Sequence, residues 1–266
     1  SQLMKRPKPQ NMMFLLFLAY LWISNLMVHL DWFGLAQSGV DVGLRGGLIT
    51  LCALIAVLGG RVTPAFTRNA MKRAGVPETS WPKSNPVAER VALVCALSLP
   101  GLLLLQLSSV LTGVVAVVFG VVQVVRLARW GGRWCLNQPI LLALHLGLAM
   151  LACGLILWGL AMLGLGEEVE ALHVLGIGCV GGMTLAVMSR AGLGHTGRPL
   201  LAPKTAALAY VVSAFAAVLR WVGSMLGDAL FLPMMLGTGG LWVLAFVLYV
   251  VAMWPALVGP RVKAAA

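Results

Sequence analysis

Four histidines, His29, His145, His173 and His195, are the side chains best suited to chemistry in a chain of 266 residues that is 60% hydrophobic and 10% charged. A neutral imidazole is the commonest protein ligand for haem iron and also suits copper. A second cluster runs from Arg190 through Gly192, Gly194, His195, Thr196 and Gly197 to Arg198 and Pro199. The planar guanidinium fork matches carboxylates and phosphates, haem propionates among them. Arg190 and Arg198 are therefore candidate cofactor-binding residues. A loop that only carried positive charge would need the arginines, but neither the glycines nor the histidine. Met183 and Met188 are soft enough for copper, although lipid-facing core is the ordinary role of methionine in so apolar a chain. The five cysteines (Cys52, Cys95, Cys135, Cys153 and Cys179) are dispersed, without C-x-x-C spacing, and indicate neither a disulfide framework nor a thiolate metal site.

The elements that hold these residues follow from hydropathy. A soluble chain carries about 25% charged residues, and no enlargement of a soluble core removes the need for a polar exterior. With a mean hydropathy of +0.95, the apolar surface must face lipid. A bilayer core of about 30 Å takes roughly 20 apolar residues per helix. Spans are expected near 12–30, 44–60, 88–107, 110–126, 138–163, 171–189, 205–226 and 235–257. The apolar stretch from Val87 to Val125 would exceed the bilayer by more than half as one helix. Arg90 and Arg126 bracket it and Ser108-Ser109 offers a turn, so it reads as a hairpin. The polar stretch 61–87 is expected to lie along the cytoplasmic face.

Charge placement tests the count. One set of gaps holds Lys5, Arg6 and Lys8; then Arg61, Arg68, Lys72, Arg73 and Lys83; then Arg126, Arg129 and Arg133; then Arg190, Arg198 and Lys204; and finally Arg261 and Lys263. The alternate gaps hold Asp31 and Asp41; no charge; Glu167, Glu168 and Glu170; and Asp228. Only Arg45 breaks the segregation among the loops. Positive residues concentrate in cytoplasmic loops. The expected fold is thus an all-α, polytopic membrane helix bundle of about eight transmembrane helices in a single domain, with both ends cytoplasmic. The partner implied is a lipid bilayer, that of a bacterial inner membrane. The net charge of +11 is explained by these loops, and nucleic acid is excluded as a partner. Without a signal peptide, the start at Ser1 reads as a cut through a longer protein or a processed chain.

This topology gives each histidine a depth. His29, just before Asp31, and His173, just after Glu170, lie at similar depth near the outer surface on antiparallel spans, where two imidazoles could ligate one haem from opposite faces. His145, two turns into the fifth span, and His195, after the sixth, form an inner pair. A single intramembrane histidine often only hydrogen-bonds a neighbouring helix, for about 1 kcal/mol or less. Four in two depth-matched pairs favour ligation. Arg220 lies inside the seventh span, snorkelling or functional. Gly178 and Gly182 have the spacing of close helix packing. Trp32, Trp81, Trp130 and Trp134 mark interfaces.

Two long motifs carry a resemblance. They are Gly59-Gly60-Arg61-Val62-Thr63-Pro64-Ala65-Phe66-Thr67-Arg68-Asn69 and Gly181-Gly182-Met183-Thr184-Leu185-Ala186-Val187-Met188-Ser189-Arg190, the latter running on from Gly192 to Pro199. With Ser24–His29 and Leu144–Gly147, they make the chain resemble the NnrS family of haem- and copper-containing membrane proteins. The resemblance implies a bacterial inner-membrane protein that protects against nitric oxide and nitrosative stress. It also implies about twelve spans in the family, of which these would be the later eight. Two alternatives stand beside it. One is a transporter whose broken helices line a path, at Pro100-Gly101 and Arg190–Pro199. The other is a cytochrome b-like subunit that takes electrons from quinol or another donor.

Overall fold

The computed structural model describes residues 9–262, so Lys5, Arg6, Lys8 and Lys263 lie outside the described residues. Eight helices are long and apolar enough to cross a membrane: α1 (Pro9–Trp32), α2 (Gly39–Arg73), α3 (Pro86–Leu104), α4 (Ser109–Leu127), α5 (Pro139–Met162), α6 (Glu168–His195), α7 (Lys204–Gly223) and α8 (Asp228–Val258). No strand occurs among the described residues. In lipid every backbone N–H and C=O must be satisfied within its own segment, and the helix does this. The protein is a multi-pass membrane bundle.

The expected hairpin is present. α3 starts at Pro86, which needs no N–H partner there, and Asn85 Oδ1 accepts from the amides of Val87 and Ala88. Ser108 caps α4 by accepting from Leu111 N. Small residues let the bundle close. A Cβ on Gly120 of α4 would stand 2.7 Å from the Ala152 carbonyl of α5, and one on Gly159 of α5 would stand 2.7 Å from the Gly113 carbonyl. α5 is the central pillar, packed on α2, α4, α6 and α7. It is 61% buried over its apolar stretch, against 17% for α1 and 22% for α8. The two outermost helices are therefore held by one flank, and lipid covers the rest.

α8 begins at Asp228 rather than near 235, and α6 stays helical to His195, through residues expected in the following loop; two further differences bear on packing. α2 does not stop at Gly60 but runs on to Arg73. Beyond Gly60 it turns amphipathic, with Thr63, Thr67 and Met71 buried and Arg68, Lys72 and Arg73 exposed. A helix can thus continue past the apolar run on the strength of a single packed face. Only the remainder of the polar stretch, 74–85, is a loop, tied across the basic end by Lys83 N donating to Arg129 O. The second difference is in α6, which widens to a π-helix over Val174–Gly181. Gly176, Gly178 and Gly181 lower the cost of that unusual backbone, and a Cβ on Gly178 would come within 2.9 Å of Met150.

Candidate functional site at the basic end

The two motif segments meet. The turn of α2 at Gly59-Gly60 lacks side chains, so three neighbouring side chains approach its backbone. Met183 of α6 and Leu148 of α5 lie over Gly59, and the Arg126 guanidinium of α4 lies over Gly60. Pro64 removes one helical hydrogen bond, the one that would reach the Gly60 carbonyl. One turn on, Thr67 Oγ1 lies 3.8 Å from Cys135 Sγ, and Met71 packs over Gly131 in the turn between α4 and α5. Burial pushes the Cys135 thiol above its ordinary value, with the Thr67 contact pulling weakly the other way.

On the α6 side of α2 the Arg190 guanidinium sits 3.7 Å above the Phe66 ring, a cation–π contact that also shields the ring. Below it opens a groove of about 440 Å³. Val62 and Phe66 of α2, and Val187, Arg190 and His195 of α6, line it, with Leu200 of the following loop. The walls are apolar, and the polar atoms come from one half-buried guanidinium and one exposed imidazole. This donor set fits a flat apolar group that carries carboxylates and takes one nitrogen ligand. Two of the residues expected from sequence, Arg190 and His195, are thus brought together, beside Val62 and Phe66 of the other motif.

The remaining expected residues lie elsewhere. Arg198 Nη2 donates to the Pro255 carbonyl at 2.6 Å and so fastens the end of α8. His145 is buried, with Nδ1 3.1 Å from Leu141 O and Nε2 3.4 Å from Trp130 O. A neutral imidazole has one N–H, so it donates to one of these carbonyls: Leu141 O in its own helix or Trp130 O in the turn before it. His29 is exposed and meets Trp32 edge-on, with ring centroids 5.3 Å apart. His173 Nδ1 is 2.7 Å from Val169 O in its own helix. α1 packs on α2 and α3, and it has no broad interface with α6. His29 and His173 therefore share no helix–helix seam. Among the described residues no group of three or more His, Cys, Asp or Glu side chains could hold a metal ion.

Three arrangements were not foreseen. Trp130, expected at an interface, is 1% exposed and lies under Arg126, 4.9 Å from its guanidinium. Arg126 itself is buried, donating to Glu89 Oε2 and to Gln123 Oε1, both at 2.7 Å. At the acidic end, Arg45 pairs with Glu168 at 3.0 Å, and buried Arg220 faces Glu170 at 4.0 Å. Arg45, which breaks the charge segregation of the loops, and Arg220, inside the seventh span, are thus each set against a carboxylate of the first turn of α6. The three glutamates before the sixth span were the available signal.

A family model described as NnrS protein matches residues 1–261 of the chain. No curated protein and no solved structure matches it.

Proposed function

The chain belongs to the NnrS family, and from that premise we propose that it is a haem-binding protein of the bacterial inner membrane, acting in resistance to nitric oxide and related nitrosative stress. The observation that carries this reading is the groove in which Arg190 and His195 of one motif face Val62 and Phe66 of the other. Haem bound there would supply an iron centre for a diatomic ligand such as nitric oxide. His195 would furnish a nitrogen ligand to its iron, and Arg190 would pair with a propionate. Phe66, Val62 and Leu200 would keep water from the apolar face. Copper, the other metal implied by the family resemblance, is assigned no residues, because the described residues hold no group of three or more His, Cys, Asp or Glu side chains that could hold a metal ion.

The test is the reduced-minus-oxidised visible spectrum of the purified chain, made with ample haem supply, beside His195→Ala, His29→Ala and His173→Ala. A haem spectrum that is lost or shifted in His195→Ala and kept in the other two is expected. A colourless wild-type chain would sink the reading. Loss in His29→Ala and His173→Ala with His195→Ala intact would move the site to the outer pair.

A further inference from the structure

A second cavity lies on the other flank of α2, between α2, α3 and α4, with a volume of about 200 Å³. Arg61, Glu89 and Arg126 supply its polar wall, and Ala56, Ala92 and Leu93 its apolar one. Glu89 belongs to the first turn of α3 and Arg126 to the last turn of α4. The cavity therefore opens at the depth of the helix ends, where phospholipid headgroups lie. Arg126 is 4% exposed and neutralised by Glu89. Arg61 is exposed and has no carboxylate within ion-pair distance among the described residues. Two guanidiniums against one carboxylate leave one positive charge facing the cavity. Behind the cavity wall, Arg126 Nε and Gln123 Nε2 are buried without a partner.

We propose that this cavity binds a phosphate group, either the headgroup of a membrane phospholipid or a free phosphate ion, through Arg61 and Arg126. The net charge selects an anion, the free guanidinium fork of Arg61 suits a phosphate oxygen pair, and Arg126, held by Glu89 and Gln123, adds its charge from the wall. The volume admits a phosphate with a few carbons and is less than half that of the groove across α2. The apolar wall would lie along the first methylenes of a lipid. Basic pockets between spans at a membrane surface hold headgroups by the same physics.

Delipidated protein in detergent is titrated with phosphatidylglycerol, followed by native mass spectrometry, and separately with inorganic phosphate, followed by thermal shift. Arg61→Gln, on an exposed side chain that leaves the Arg126 network intact, should weaken binding about fivefold, the effect of one interfacial cation. Glu89→Gln adds a net positive charge and should tighten binding. A response to the lipid alone assigns the site to a headgroup, and a response to both assigns it to phosphate from either source. Absence of binding by both ligands, or equal binding by wild type and Arg61→Gln, overturns the proposal.

Discussion

Cys135 and Thr67 illustrate how much a side chain's chemistry depends on what closes over it. Cys135 lies outside the spans, in the short turn Trp134–Asn137, yet it is fully buried against α2. Burial disfavours the thiolate and holds the thiol above its ordinary value. Because the thiolate is the nucleophile, a maleimide applied to the folded protein at pH 8 should leave Cys135 unlabelled while denaturation in SDS exposes it. Prompt labelling of Cys135 in the native protein would mean that the Gly59–Arg73 helix does not pack on this turn. The same helix explains Arg126. Its guanidinium has room only because residue 60 is glycine, and any Cβ there would collide with it.

At the scale of elements, the seam between α4 and α5 is built on backbone contact. Gly113 and Gly120 of α4 face Gly159 and Ala152 of α5, and in lipid such close approach is the main source of helix association. Gly120→Leu forces Ile156 and the Ala152 carbonyl apart, and overpacking of this kind costs about 1–3 kcal/mol. The variant should lower the midpoint of thermal unfolding in detergent, whereas Val121→Leu, on the exposed lipid face of the same helix, should leave it near wild type. Equal midpoints for both variants would contradict the seam. In α6 the π-helix was not legible beforehand. A glycine run permits it, but the widening is settled by what packs there: Met150, Ala217 and Trp242 against Gly178 and Gly181.

For the molecule as a whole, eight spans place the loops 74–85, 128–138 and 196–203 at one end, with most of the arginines, and the loops 33–38, 105–108, 163–167 and 224–227 at the other. The bias of positive residues toward the cytoplasm predicts which end is inside. A single cysteine introduced at Gly75 should react with an impermeant reagent only in inside-out vesicles, and one at Gly164 only in right-side-out vesicles. The reverse pattern would invert the orientation, and labelling of both from one side would break the span count.

Hydropathy and charge alternation by themselves determined the eight helices and the α3–α4 hairpin, and the residues of the two motifs carried the family resemblance. Lipid permits little else for a long apolar segment, and every loop between spans must reach water. The segment that holds Arg190 and His195 was also singled out from its residues, and both side chains line one groove. What it could not determine was which faces meet. Depth-matching set His29 beside His173, but depth specifies position along a helix and not rotation about it or the choice of neighbour. The tertiary structure decided these by interleaving α2 with α5 and α6 through glycine contacts. That packing joins Phe66 to Arg190, turns His145 toward backbone carbonyls, and buries Arg126 against Glu89. Such pairings arise from steric fit between segments far apart in the chain, and no local property of either segment encodes them.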